Sequence, residues 1–463
     1  MISKVLDHID ASIEPGLERL FDLLRIPSIS TQPAHAPDCR RAAEWLCRDL
    51  AGMGFTASVR ETPGHPIVVA HDLSAPSGPH VLFYGHYDVQ PVDPLSLWNA
   101  APFEPALRED PASGRKVIVA RGASDDKGQV MTFLEACRAL RAANGALPLK
   151  VSVILEGEEE SGGLNLLPFL QANAEELRCD VALICDTGLA ADGIPGITTM
   201  LRGLVGEEIV ITGADRDLHS GIFGNAARNP IHVLADIVAG LRDGRGRVTL
   251  PGFYDGVHDL PEAVRSAWSE IGLTDAAVLG PVGLSVAAGE KGYSALEQTW
   301  SRPTCEVNGI TGGYQDAGFK TVLPARASAK ISFRLVAGQD PEAIRASFRA
   351  YVNSRLPADC SVAFTSHGGS KASAVPFEGA ALRVALAALG EEWGRPAVMV
   401  GSGGSIPVVG ELQQALGVDA LLVGFARDDD RIHSPNEKYD LESFHRGIRS
   451  WVRILHGLAT AQA

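Results

Sequence analysis

The stretch VSVILEGEEESGG, Val151 to Gly163, decides how this chain is read. Val151, Ser152, Val153, Ile154 and Leu155 read as a buried strand, because apolar and β-branched residues dominate a run too short for a free-standing helix. That strand runs straight into Glu156, Glu158, Glu159 and Glu160, followed by Ser161-Gly162-Gly163. Carboxylates packed this closely repel one another and require positive charge nearby. Open α/β sheets place ligands at the carboxyl ends of their strands, where these acids sit. Taken alone, a solvated acidic turn explains the run equally well. The neighbouring strand ends separate the two explanations.

Upstream, PHVLFYGHYDVQ carries a second buried strand, Val81 to Tyr84, released by Gly85 into His86-Tyr87-Asp88. Side chains alternate along a strand, so His86 and Asp88 share a side if extension continues. A lone histidine there is most simply a packing residue; the aspartate two positions on weakens that explanation. The segment from Leu107 to Ala120 reads as a hairpin turning at Pro111-Ala112-Ser113-Gly114. It delivers RGASDDKG, residues 121–128, to a helix over Gln129–Ala143. One aspartate there serves as an N-cap; Asp125 and Asp126 together leave a carboxylate over. Downstream, a helix is expected over Leu164–Leu177. A third buried strand, Asp180–Cys185, then ends in Asp186.

The flanking segments complete this layer. Helical spacing appears over Ser3–Leu24 and Cys39–Met53, and short strands over Ala57–Arg60 and Pro66–His71. Character changes near Leu201. Strands alternating polar and apolar residues, helices at Pro230–Leu241 and Pro341–Arg355, and an irregular insert over Asp243–Ser294 with one helix near Pro261–Ile271 follow. Strand, helix, strand, strand, helix, strand is the split βαβ order. The first character returns with a helix over Ala380–Trp393, a strand over Ala397–Val400, a helix over Ile406–Leu416, a strand over Ala420–Phe425, a charged loop holding His433, and a closing helix over Leu441–Leu458. The expected fold class is therefore α/β: a mixed-sheet catalytic domain in two parts, residues 1–205 and 376–463, around an inserted α+β ferredoxin-like domain, residues 206–375.

Composition narrows the partners. Lys and Arg number 41 against 56 Asp and Glu, a net charge of −15, which disfavours nucleic acid and anionic membranes. Seven cysteines without a CxxC spacing suit a reduced cytoplasmic chain, and the N-terminal MISKVLDHIDASIEPGLERL has no apolar leader core. No apolar run is long enough to span a bilayer.

Collected together, the strand ends and loops offer His86, Asp88, Asp125, Glu159, Glu160, Asp186 and His433. Mixed imidazole and carboxylate donors suit zinc, with manganese or cobalt as alternatives. This set exceeds the needs of one tetrahedral ion but matches two divalent ions sharing a carboxylate. A spare glutamate is then free to act as a general base.

The motifs GHYDVQP, RGASDDKG, EGEEESGG, DLHSG, GGSIP and HSPNEKY, with the Asp186 strand end, resemble in order the dinuclear zinc metallopeptidase family. That family includes the carnosinase-type cytosolic nonspecific dipeptidases, acetylornithine deacetylase, succinyl-diaminopimelate desuccinylase, carboxypeptidase G and aminoacylase. The likeness spans nearly the whole chain and is nearest to the dipeptidase branch. It implies two divalent ions per subunit: His86 and Asp186 on one, Glu160 and His433 on the other, Asp125 bridging. It also implies that Asp88 hydrogen-bonds His86 from behind, that Glu159 is the general base, and that the Asp125–Asp126 peptide is cis. The inserted domain becomes a lid that forms a homodimer, with His219 stabilising the oxyanion. Arg334 would hold a substrate carboxylate, Asn308 and Ser405 would offer polar contacts, and the Gly404 amide would help cradle the carboxylate at a helix start. The implied activity is hydrolysis of a small dipeptide-like substrate. An N-acyl-amino-acid deacylase or desuccinylase is the alternative, and a non-catalytic metal-binding homologue a more remote one.

Overall fold

The computed structural model describes residues 2–375, 377–404 and 406–461. It divides into two compact units. One comprises Met1–Thr199, Val375–Val400 and Pro407–Ala463; the other comprises Met200–Ala374 and Gly401–Ile406.

In the first unit, a mixed sheet runs in the order Thr56–Arg60, Ile67–Asp72, Lys150–Glu156, His80–His86, Val181–Ile184, Ala420–Val423 and Gly196–Leu201. The four strands from Lys150–Glu156 to Ala420–Val423 are mutually parallel. The outer pairings are antiparallel. Parallel strands covered on both faces read as unbroken apolar runs, which is why Val81–Tyr84, Val181–Ile184 and Ala420–Val423 are buried throughout. Parallel order also sends all four carboxyl ends to one edge, so the polar residues following each strand converge there.

Helices Ile2–Leu24, Lys127–Asn144, Ala380–Trp393 and Leu441–Thr460 pack together. Their core is aromatic where they meet the sheet. Phe83 stacks on Phe133 with centroids 3.8 Å apart, and Trp451 meets Phe83, Phe133 and Phe425 edge-on. A small antiparallel sheet of Lys438–Asp440, Lys116–Val119 and Ala106–Glu109 ties the late loop that holds His433 to the hairpin that delivers Asp125.

The second unit is an antiparallel sheet in the order Thr304–Gly312, Arg326–Leu335, Gly203–Thr212 and Ser361–Ser370. Helices Pro230–Ala239 and Pro341–Arg355 complete the ferredoxin-like arrangement. Along Gly203–Thr212 burial alternates strictly. Val205, Ile209 and Ile211 face a core shared with Leu234, Phe333 and Phe348. Glu207 lies on that same face, fully buried, and is held by Arg345 and Arg349.

Several elements differ from their sequence-based expectation. The helix expected over Leu164–Leu177 forms only at Leu166–Ala172. It stops where the Asn173 side chain donates to the Phe169 carbonyl at 2.8 Å, competing with helical bonding. The insert is more ordered than expected, adding a helix at Asp275–Leu279 capped by Thr274. The strand that the alternating pattern predicts over Thr304–Val307 runs on to Gly312, where a register shift between Val307 and Gly309 absorbs an extra residue. Among the described residues no helix is long and apolar enough to cross a membrane.

Candidate metal centre

Each acidic or imidazole group at the sheet edge arrives by a distinct local device. His86 is the last residue of its strand. Its Nδ1 lies 3.1 Å from the Asp88 carbonyl, which can only accept, so Nδ1 carries a proton and Nε2 is the nitrogen turned toward Asp125. Asp88 Oδ1 lies farther off, at 3.4 Å. The carboxylate implied to orient His86 is thus seconded by its own backbone. Asp88 Oδ2 instead accepts the Glu160 N–H at 3.0 Å, fixing the glutamate turn.

Asp125 sits in the tight loop before helix Lys127–Asn144, joined to Asp126 by a cis peptide. Gly128 permits that loop, since a Cβ there would lie 1.9 Å from the Ala123 carbonyl oxygen. Asp125 turns one oxygen to each of two histidines: Oδ1 is 3.0 Å from His86 Nε2, and Oδ2 is 2.9 Å from His433 Nε2. His433 Nε2 is also 3.2 Å from Glu160 Oε2, which accepts from Gln90 Nε2 at 2.7 Å. His433 holds a left-handed backbone at φ 61°, as do Arg431 and Asn436 around it. Non-glycine residues in that region store about 1–3 kcal/mol each and cluster at functional sites.

Two donor groups result, His86–Asp125–Asp186 and Asp125–Glu160–His433, each with ligand atoms within 4.8 Å of one another. Asp125 belongs to both. Burial pushes the Asp186 carboxyl well above its ordinary range; His86 opposes this, while Asp125, Glu159 and Glu160 add to it by repulsion. For Glu159 burial again raises the value, with Glu160, Asp125 and Asp88 adding and His86 opposing. Burial disfavours a charged His86, yet the Asp125 and Asp88 carboxylates outweigh it and hold the imidazole well above its usual value. Crowded acids paired with imidazoles are the donor chemistry that divalent cations neutralise, so the residues fit two such ions with one shared carboxylate.

The loop positioning Asp125 depends on a residue the motif reading quoted without singling out. Buried Glu437 accepts the backbone N–H groups of Gly122, Ser124 and Asp125 and pairs with buried Arg121 at 2.8 Å. Asp126, the spare acid of the pair, accepts the His86 N–H at 3.2 Å. A buried acid inside the charged motif HSPNEKY was the available signal for Glu437; nothing local signalled its partners.

The other expected site residues lie in the second unit. His219 is exposed, and its Nδ1 accepts the Gly221 N–H at 3.0 Å, leaving the proton on Nε2. Arg334 is half-buried, opposite Leu204 and Thr304. Asn308 is the exposed extra residue of the bulge. The Gly404 amide is already engaged by Ser402 Oγ at 3.2 Å, and the helix begins only at Pro407, so Gly404 lies outside the helix start where the sequence reading set its amide. Ser405 lies outside the described residues.

The chain is similar to known proteins over nearly its whole length. The family model described as Peptidase family M20/M25/M40 matches residues 82–457. The Cys-Gly metallodipeptidase dug1 of Schizosaccharomyces pombe is 30% identical over 475 residues, spanning 99% of this chain and 98% of that protein. The M20 family metallo-carboxypeptidase Sso-CP2 from Sulfolobus solfataricus matches in structure with a TM-score of 0.78 and 30% identity, covering 96% of this chain and 99% of that one. Human carnosine dipeptidase 1 matches with a TM-score of 0.76 and 25% identity, covering 99% and 98%.

Proposed function

This chain belongs to peptidase family M20/M25/M40, and we propose that it is a metal-dependent dipeptidase that hydrolyses the amide bond of small dipeptides bearing a free carboxylate. The observation carrying this reading is the Asp125 carboxylate, shared between His86 and His433. In this reading His86, Asp125 and Asp186 hold one divalent ion, and Asp125, Glu160 and His433 the other. Zinc suits the imidazole–carboxylate mixture first; manganese and cobalt are the alternatives. Bound ions supply Lewis acidity, which lowers the pKa of water and polarises a carbonyl.

Glu159 takes the proton of the attacking water and returns it to the leaving amine. Its raised pKa brings it nearer the working range of a general base. Asp88 holds the orientation of His86 and of the Glu160 turn. His219 offers Nε2–H to the developing oxyanion. Arg334 holds the substrate carboxylate as a planar fork, and Asn308 adds a polar contact from the bulge.

We extend the reading to a homodimer formed through residues 206–375, in which each lid supplies its His219 to the other subunit. Ile222 and Phe319, 71% and 91% exposed beside the Leu218–His219 pairing with Val322–Leu323, support an apolar interface there. Seven unpaired cysteines support a reducing cytoplasmic location. The deciding experiment is a turnover panel of dipeptides against N-acetyl amino acids, run with zinc and with manganese. Turnover of dipeptides alone supports the reading; turnover of N-acetyl amino acids alone makes the chain a deacylase. Two bound metals without turnover of either would make it a binding protein.

A further inference from the structure

Arg202 stands at the entrance to strand Gly203–Thr212, and it is only 8% exposed. Its backbone N–H donates to the Gly404 carbonyl at 3.2 Å, Nε to the Gly403 carbonyl at 3.2 Å and Nη1 to the Gln298 carbonyl at 3.3 Å. Nη2 lies against Gly403, 3.1 Å from where a Cβ would stand, so glycine there leaves the guanidinium edge uncovered. These partners are neutral. Among the described residues no carboxylate forms an ion pair with Arg202 or with Arg334.

The two arginines share a sheet face. Leu335 pairs with Gly203 and Arg334 with Leu204, so Arg334 is the diagonal neighbour of Arg202. Diagonal positions two residues off register lie about 7–8 Å apart on one face, within reach of long side chains. It is the face opposite the helix-packed core, since Val205 and Phe333 point to the other side. Burial first and the Arg334 charge second bring the Arg202 pKa down to about 10; Glu306 opposes, its carboxylate being taken by Arg242. A buried guanidinium beside another, paired only with carbonyls, is an electrostatic cost that an anion removes.

We propose that Arg202 is a second substrate-binding arginine, holding the substrate carboxylate jointly with Arg334 and making a free carboxylate a strict requirement. This rests on the reading of Arg334 as the carboxylate anchor. Nη2 of Arg202 donates to one carboxylate oxygen while Arg334 takes the other, and the carbonyl bonds of Nε and Nη1 keep the fork from swinging away.

The test compares a dipeptide with its C-terminal amide on the metal-loaded full chain, as the ratio of kcat/KM values. Arg202→Met and Arg334→Met are each expected to lower that acid-over-amide ratio about 10- to 100-fold, through KM for the acid. Arg202→Lys keeps the cation but not the fork and should lose less; it also stands in if the methionine variant does not fold, judged by circular dichroism. A merely structural Arg202, clamping Gly403 and Gly404, predicts equal losses on both substrates. If the ratio falls in Arg334→Met but holds in both Arg202 variants, this inference is overturned and the anchor reading survives. An unchanged ratio in Arg334→Met overturns the anchor reading and this inference with it.

Discussion

Glu437 Oε1 accepts the backbone N–H of Asp125 at 3.1 Å, across 312 positions of chain. Its other oxygen is shared between the Gly122 N–H and buried Arg121. Glutamine in its place can accept through one atom only. Glu437→Gln should therefore cost about 10- to 100-fold in metal affinity, as loss of an outer hydrogen-bonding partner does. Glu437→Ala strands the Arg121 charge and should also destabilise the fold by about 3–5 kcal/mol. Metal titration and denaturant melts of both variants check this.

Glu159 belongs to neither donor group. Glu159→Gln should leave two metals bound while kcat falls about 10²- to 10⁴-fold, the usual contribution of a positioned general base. Normal turnover with full metal content would remove the base from the mechanism.

Stripping the metals should abolish turnover and also lower the melting temperature. Asp125, Asp186, Glu159 and Glu160 repel one another once no cation offsets them. Asp125→Ala, touching both donor groups, should lose both ions, whereas His86→Ala should retain one. Elemental analysis of dialysed protein distinguishes these outcomes.

Burial pushes the Glu411 carboxyl from its ordinary 4.5 to about 7, with no cation among the causes. The folded state thus favours the neutral acid. Its contribution to stability is fully present below pH 4.5 and is lost as the pH rises through about 7. Glu411→Gln should match the parent near pH 4 and exceed it at pH 8. The gain is on the order of 1 kcal/mol once the solvent-facing part of the side chain is discounted. Thermal melts at the two pH values read the difference.

Trp451 fills the junction of Phe83, Phe133 and Phe425, and its Nε1–H donates to Thr132 Oγ1 at 3.1 Å. Trp451→Ala should cost about 3–5 kcal/mol of stability. Urea melts measure it, and metal binding at saturating ion should persist below the new midpoint.

The α/β class, the strand ends at His86, Glu156 and Asp186, and the inserted ferredoxin-like unit were legible in the sequence, because period and composition are local properties. Short unbroken apolar runs suit strands covered on both faces, and parallel order sends every following acid to one edge. Folding alone decided how those acids divide. Pairing of Lys438–Asp440 with Val117–Val119 brings His433 beside Asp125, and the Glu437 cradle fixes which oxygen faces which histidine. The curtailed helix after Gly163, the bulge at Asn308 and the carbonyl behind His86 also lay beyond the sequence, since each turns on one side chain or backbone atom outbidding another at close range. Such contests are settled by distances that a linear pattern does not contain.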